Sequence, residues 1–393
     1  MSETVPSVTP AALDERLRAG DPTVVLDVRN RDEFERWHVD GPAVEATQAS
    51  HAKFVAAGVT GDVTDHARGL GLDPADRIVV VCGHGEASAE VAEMLTDAGF
   101  DAANLAGGMD DWADLYVATE VPGPDAGPTV VQYRRPSSGC LSYLVVSGDE
   151  AAVVDPLRAF ADRYVADAAD RGADLVAAVD THVHADHVSG VPALARDGVE
   201  AVVPAGATER GLDLPVAVRL LGPDESVSIG QTALSAHPLP GHTSEMTGLR
   251  LDREDAPPVL FCGDSLFRAA VARPDLEAGA EGATALARQL YDTLHDRLLS
   301  LPDETVLFPG HYASPAEVVE GLVSTTVGAA RDRDLLGCSR DAFVDRVTSS
   351  MPPRPANYER IIEVNLGRDA VAAAAAFELE LGPNSCAAGG TAD

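Results

Sequence analysis

Three histidines and an aspartate crowd into Thr181-His182-Val183-His184-Ala185-Asp186-His187, directly after the apolar run Leu175-Val176-Ala177-Ala178-Val179. The run reads as a buried strand, so the cluster sits where a strand ends and a loop begins. Residues two apart in extended backbone share a side, so His182 and His184 can converge on one metal ion. Asp186 and His187, on the turn that follows, can face a second position. Three later stretches repeat one pattern: Pro240-Gly241-His242, Val259-Leu-Phe-Cys-Gly263-Asp264 and Val306-Leu-Phe-Pro-Gly310-His311. In each, a strand-like or apolar run ends in a glycine followed by a potential ligand. The repetition predicts that loops at one edge of a stack of sheets deliver ligands to one place.

The N-terminal part alternates strands and helices, which predicts an α/β domain with a parallel sheet. Residues 10–19 read as a helix opened by Pro10 and stopped by Gly20, and Val24-Val25-Leu26-Asp27-Val28-Arg29 as a strand running into a charged turn. A second strand, Ile78-Val79-Val80-Val81, runs into Cys82-Gly83-His84-Gly85-Glu86-Ala87-Ser88, and Ala87 to Ala98 is helical. A cysteine between a strand and a helix N-terminus meets inward-pointing N–H groups and a helix dipole that favour the thiolate. Residues 121–128, with three prolines in eight positions, predict a stiff linker. The predicted domains are therefore 1–120 and 129–381, with 382–393 a disordered tail. In the second domain, 141–146 and 151–155 read as paired strands, 157–171 as a helix, and 313–377 as mostly helical.

With 63 acidic against 29 basic residues the net charge is −34, and Lys53 is the one lysine. Such a surface repels nucleic acid and anionic membranes, and suits a protein kept hydrated in high salt. The five cysteines are scattered without CxxC spacing, which fits a reducing cytoplasm better than a disulfide framework. The first residues lack the apolar core of a signal peptide, and no run approaches the about 20 apolar residues needed to span a bilayer.

His182, His184, Asp186, His187, His242, Asp264 and His311, in that order, resemble the metallo-β-lactamase family over about residues 129–315. The resemblance implies an αββα sandwich. It implies either of two centres. Two zinc ions would use His182, His184 and His242 at one site and Asp186, His187 and His311 at the other, bridged by Asp264, as in thioester hydrolases of the glyoxalase II type. Alternatively one Fe(II) would be held by His182, His242 and Asp264, with His184, Asp186, His187 and His311 orienting ligands and water. Val271-Ala-Arg273-Pro-Asp275 and Arg354-Pro-Ala-Asn357-Tyr358 are similar to the persulfide dioxygenase branch. In that branch Arg273 is expected beside the thiol substrate, and Tyr312 is a further candidate there.

Leu26-Asp27-Val28-Arg29, Trp37-His38-Val-Asp-Gly41 and Gly107-Gly108-Met-Asp-Asp-Trp112 resemble the rhodanese family over about residues 5–116, with Cys82-x-x-Gly85-x-x-Ser88 as its active loop. Together the resemblances imply an α/β protein in which a rhodanese-like parallel-sheet domain precedes the metallo-β-lactamase sandwich. The expected reaction is oxidation of a low-molecular-weight thiol persulfide by O2 to sulfite and thiol, coupled to sulfur transfer at Cys82 with thiosulfate or sulfite. No nucleic-acid or membrane partner is expected, the expected location is the cytoplasm, and a homo-oligomer is left open.

Overall fold

The structure, a computed structural model, describes residues 5–124, 127–349, 351–381 and 386–388. The first domain runs β1 (Ser7–Val8), α1 (Pro10–Ala19), β2 (Thr23–Asp27), α2 (Arg31–Arg36), β3 (Val44–Gln48), α3 (His51–Thr60), α4 (Val63–Gly69), β4 (Arg77–Val81), α5 (Glu86–Asp97), β5 (Asp101–Leu105) and α6 (Gly108–Asp114). Its five strands lie in the order β1-β5-β4-β2-β3, all parallel. Val79, Val80 and Val81 in the middle strand are fully buried because helices cover both faces. The Asp27 and Arg29 of the charged turn form an ion pair at 2.6 Å, and Arg29 also holds the Trp37 carbonyl at 2.6 Å.

Next come β6 (Val117–Glu120), β7 (Thr129–Arg134), β8 (Leu141–Ser147), β9 (Glu150–Val154), α7 (Ala161–Asp170), β10 (Asp174–Val179), α8 (Val191–Arg196), β11 (Glu200–Pro204) and β12 (Val218–Leu221). They build a seven-stranded sheet in the order β12-β11-β10-β9-β8-β7-β6. The second sheet is β13 (Ser226–Ile229), β14 (Thr232–Pro238), β15 (Thr247–Leu251), β16 (Val259–Gly263), β18 (Val306–Pro309) and β19 (Thr325–Thr326), in that order. Between the sheets lies a core of Tyr143, Val145, Leu234, Leu249, Phe261 and Phe308, each about 1.5–3 kcal/mol of apolar burial. α7 and α8 cover the outer face of the first sheet through Tyr164, Ala168, Val191 and Leu194. α9 (Gly279–Thr293) and α11 (Arg340–Ser349) cover that of the second. The architecture is αββα.

Four expectations change. β6 pairs antiparallel with β7, so residues 117–120 belong to the second domain's sheet and the boundary falls between α6 and β6. The proline-rich 121–128 segment is then a hairpin connection, closed by Val121 N–H to the Val130 carbonyl at 2.8 Å, and not an interdomain linker. Among the described residues, region 313–377 is helical in a short 3-10 turn (Pro315–Glu317), α10 (Val327–Arg331), α11, α12 (Tyr358–Asn365) and the start of α13 (Ala373–Leu379), with β19 and irregular chain between. Within the tail expected to be disordered, Ala387–Ala388 form β20, paired antiparallel with β17 (Val271–Ala272). The remaining tail positions lie outside the described residues, apart from Cys386. No helix among the described residues is long and apolar enough to cross a membrane.

The two domains share buried polar ties. Arg134 at the end of β7 holds Asp14 of α1 through both carboxylate oxygens, at 2.8 and 2.7 Å. Its neighbour Arg135 donates to the Ala113 carbonyl at 3.0 Å and to Glu380 at 2.5 Å.

Candidate metal centre and cysteine loop

Cys82 ends β4, where the carboxyl edge of the parallel sheet meets the N-terminus of α5. Its Sγ accepts hydrogen bonds from Gly85 N–H at 3.0 Å and Ser88 Oγ at 3.1 Å. Two donors and the first turn of a helix favour negative charge on the sulfur. His84 is exposed and bonded to Asp110 at 2.6 Å, and Glu86 opens the helix. Gly83 and Ala87 complete the loop without a polar side chain. Gly108 must be glycine, because its φ is +63° and a Cβ there would stand 2.4 Å from the Cys82 carbonyl oxygen.

In the second domain, three loops converge. His182 follows β10, His242 follows β14, and Asp264 follows β16. One ligand atom from each of His182, His242 and Asp264 lies within 4.8 Å of the others. Asp264 Oδ2 is 4.0 Å from His182 Nε2 and 3.8 Å from His242 Nε2. All three side chains are buried, and these three atoms have no hydrogen-bond partner. Glycine precedes Asp264 for a steric reason: Gly263 has φ +47°, and a Cβ would stand 2.1 Å from Met246 and 2.5 Å from Thr181 Oγ1. Before His242, a Cβ on Gly241 would meet Leu290 Cα at 2.4 Å.

Hydrogen bonds set the imidazole tautomers. Thr181 Oγ1 donates to Asp155 Oδ2 at 2.9 Å, so it accepts from His182 Nδ1–H at 3.0 Å and leaves the lone pair on Nε2. His242 Nδ1–H donates to the Arg273 carbonyl at 2.8 Å, with the same result. Burial holds His182 well below its ordinary pKa and lowers His242 to about 4, so both rings are neutral near pH 7. Burial, then the Asp186 charge, pushes the Asp264 carboxyl up to about 8 in the protein alone. Two neutral imidazoles and a carboxyl crowded together with lone pairs inward fit a divalent transition-metal ion, whose charge would compensate the buried carboxylate.

The other histidines take different places. The His184 ring packs against His182, centroids 4.1 Å apart, but its ligand atom groups with Asp155 and Asp180 and not with His182. Its Nε2 lies 3.2 Å from Asp155 and 3.6 Å from Asp180, and although burial opposes protonation, Asp155 raises its pKa well above the ordinary value. Asp186 and His187 group with Cys140, again with ligand atoms within 4.8 Å, and Cys140 Sγ lies 3.1 Å from Asp186. His311 bonds the Ser138 carbonyl through Nε2 at 2.6 Å and lines a cavity of about 240 Å³ between the domains, together with Trp37, His38, Trp112 and Tyr312.

Arg273 and Tyr312 act elsewhere than expected. The buried Arg273 guanidinium bonds Asp275 at 2.8 Å and the Pro352 and Pro353 carbonyls, each at 2.9 Å, so what it gives the centre is its main-chain oxygen. Arg354 holds the other oxygen of Asp275 at 2.7 Å. The Tyr312 hydroxyl accepts from Arg134 at 3.2 Å, at the domain boundary. Sequence reading missed Asp155, held at φ +50° beneath the cluster, and Asp180 and Cys140 beside it. It also missed Asn365, whose amide donates to the His184 and His187 carbonyls at 3.0 and 2.8 Å. Asp180 stands two positions before His182 and was open to a local reading, whereas Asn365, in a helix far along the chain, leaves no local signal.

Residues 9–115 match the rhodanese-like domain family and residues 135–311 the metallo-beta-lactamase superfamily. The chain thus joins a rhodanese-like domain to a domain of the metallo-β-lactamase superfamily. The mitochondrial persulfide dioxygenase ETHE1 of Mus musculus is 26% identical over 240 residues, covering 60% of this chain and 86% of the relative. A hydroxyacylglutathione hydrolase of Prochlorococcus marinus (strain MIT 9303) is 32% identical over 181 residues, covering 45% of this chain and 64% of the relative. The crystal structure of ETHE1 from Myxococcus xanthus superposes with a TM-score of 0.50 at 25% identity, covering 64% of this chain and 98% of that one. The relatives' names are of two kinds, a dioxygenase and a hydrolase.

Proposed function

We propose that the chain is a persulfide dioxygenase using one Fe(II) held by His182, His242 and Asp264, with sulfur transfer at Cys82 on the same chain. The observation that carries this is the set of three buried, unpartnered ligand atoms, two imidazole nitrogens and one carboxylate oxygen, while the neighbouring His184 turns its Nε2 to Asp155 instead. Two imidazoles and one carboxylate with open positions are the donor set of non-haem iron oxygenases. When bound, the iron would supply the redox chemistry that adds dioxygen to sulfane sulfur. The net reaction is R–S–SH + O2 + H2O → R–SH + sulfite + 2 H+, in which sulfur loses the four electrons that dioxygen gains.

The chain's own residues orient and exclude. Thr181 and the Arg273 carbonyl aim the two Nε2 lone pairs, and Gly263 sets the direction of Asp264. Burial of all three keeps bulk water from the centre. At the other domain, the Cys82 thiolate would attack thiosulfate, giving Cys82–S–S⁻ and sulfite, with Gly85 N–H and Ser88 Oγ stabilising the sulfur charge. The five cysteines form no disulfide, which suits the cytoplasm.

A second reading has its own support. The Cys140, Asp186 and His187 group offers a place for another ion, as a binuclear zinc hydrolase of the hydroxyacylglutathione type would need. Metal analysis of protein purified without added metal, alongside oxygen-electrode traces with glutathione persulfide, decides between them. Iron near one per chain with persulfide-dependent oxygen uptake supports the dioxygenase. Zinc near two per chain, or undiminished oxygen uptake in Asp264→Ala, rejects it.

A further inference from the structure

A hairpin gripped by two arginines joins Asp264 to Arg273, whose carbonyl orients His242. Leu266 bridges Val271, and Phe267 N–H donates to the Ala270 carbonyl at 3.0 Å, which closes a tight turn that contains Arg268. Arg333, just past α10, donates through Nη1 to the Phe267 carbonyl at 2.7 Å and the Ala270 carbonyl at 3.4 Å. Arg268 donates through Nη1 to the Ser324 carbonyl at 2.8 Å. Both arginines line one cleft of about 460 Å³, together with Ser324, Thr325, Thr326 and Ala329. Carbonyl oxygens leave the two guanidinium charges uncompensated. Arg134, Arg135 and Arg273 each face a carboxylate, whereas among the described residues neither Arg268 nor Arg333 forms an ion pair. Glu317, an acid whose charge reaches Arg333, is taken up by the Ala313 and Ser314 N–H groups at 2.9 and 3.0 Å. Arg333 Nη2 is buried without an acceptor among the described residues, which is unfavourable until one is supplied.

We propose that Arg268 and Arg333 form a binding site for a small divalent oxyanion of sulfur or phosphorus, and that the bound anion pins the hairpin between Asp264 and Arg273. Each guanidinium gives one nitrogen to main-chain carbonyls and keeps further N–H donors, whose fork matches two oxygens of a single oxyanion. An anion held by both also relieves the repulsion between two like charges in one cleft. On a chain of net charge −34 most of the surface repels anions, so two guanidiniums without carboxylates mark the place where one is attracted. Sulfite, the product proposed above, belongs to this class. Pinning the turn steadies both the strand end that carries Asp264 and the carbonyl that holds His242. Anion and metal therefore strengthen each other's binding, a coupling that rests on the reading that His182, His242 and Asp264 hold a metal.

Calorimetric titration of metal-free full-length protein with sodium sulfate, at ionic strength held constant with sodium chloride, tests the site. Sulfate should bind saturably at a single site per chain, and sulfite and phosphate should compete with it. Arg268→Gln should weaken sulfate binding about tenfold or more, the effect of losing charge-assisted hydrogen bonds. Ala329→Glu sets a tethered carboxylate in the same cleft, in the first turn of α10 where an acid is favourable, and should abolish sulfate binding in a folded protein. Cobalt(II) titrations then read the pinning. Saturating sulfate should tighten cobalt binding about fivefold or more in the parent and leave it unchanged in Arg268→Gln. Absence of saturable sulfate binding, or binding undiminished in Arg268→Gln and Ala329→Glu, overturns the site. Sulfate bound with cobalt affinity unmoved overturns the pinning. Cobalt binding indifferent to His242→Ala overturns the metal reading and the coupling with it, while the anion site stands on the sulfate titration.

Discussion

His242 Nδ1 lies 2.8 Å from the main-chain oxygen of Arg273, whose side chain is locked by Asp275. The ring is thus aimed by backbone that a buried ion pair fixes in place. Removing the guanidinium in Arg273→Ala keeps the carbonyl but strands Asp275 in the interior with Arg354 alone. The expected loss is about 3–5 kcal/mol of stability. A second-layer support of this kind is expected to cost about 10–100-fold in metal affinity. Denaturant unfolding and chelator competition measure the two; unchanged affinity in a folded variant would remove the backbone-aiming account.

Asp275 also sets a pH limit. Burial acts to raise its pKa, but the hydrogen bonds from Arg273 and Arg354 outweigh that and hold it below 3.8. A carboxylate with a depressed folded pKa contributes stability that is complete above its unfolded value, about 4, and is lost as pH falls through the folded one. Unfolding midpoints should therefore drop below about pH 4. In Asp275→Asn that part of the acid dependence should disappear, at lower stability near neutral pH. A variant with the parent's acid slope would contradict this.

Asn365 ties the ligand loop from outside. Besides the His184 and His187 carbonyls, it accepts from Ser189 N–H at 2.9 Å. Asn365→Ala leaves these buried groups unpaired, at about 1–3 kcal/mol each where water cannot replace it. Weaker cobalt binding with His182 and His242 intact is the expected result, read by titration.

The rhodanese-like loop gives a cleaner separation. Cys82→Ser should abolish thiosulfate-dependent sulfur transfer and leave oxygen uptake from preformed glutathione persulfide unchanged. Ser88→Ala removes one donor to the sulfur, a charge-assisted bond of about 1.5–3 kcal/mol, and should slow thiosulfate-dependent sulfur transfer about tenfold or more. Transfer at the parent's rate would show that Ser88 does not support the sulfur.

At the domain boundary, Asp14→Ala leaves Arg134 buried without its carboxylate. A loss of about 3–5 kcal/mol is expected, larger than for Asp14→Ala combined with Arg134→Met, where no charge is left unpaired. Double-mutant unfolding curves measure the difference, and equal losses would deny the coupling.

Much of this arrangement is legible in the chain itself, and the reason is local. The predicted helix 10–19 is found with Gly20 at its end in the left-handed conformation, because a proline start and a glycine stop are short-range signals. The glycine-then-ligand pattern is also legible, since each glycine answers a close approach at the ligand's own position. What was hidden depends on contacts distant in sequence. The partner of His184 is Asp155, nearly thirty positions upstream, and Tyr312 is claimed by Arg134 from another sheet. The 121–128 stretch misled because prolines mark a hairpin loop as well as a linker, and only the pairing of β6 with β7 distinguishes them. The helix at 279–293 went unassigned although Ala283, Leu286, Ala287 and Leu290 share its buried face.

α13 has a consequence for anyone who would take the molecule apart. Phe377 and Leu381 pack against the first domain's core, while Glu380 accepts from both Arg135 and Val188 N–H in the second. A cut between α6 and β6 therefore strips each half of a piece of its coat. The severed N-terminal fragment would show a greasy scar where Phe377 had lain, and would be inclined to stick to its own kind.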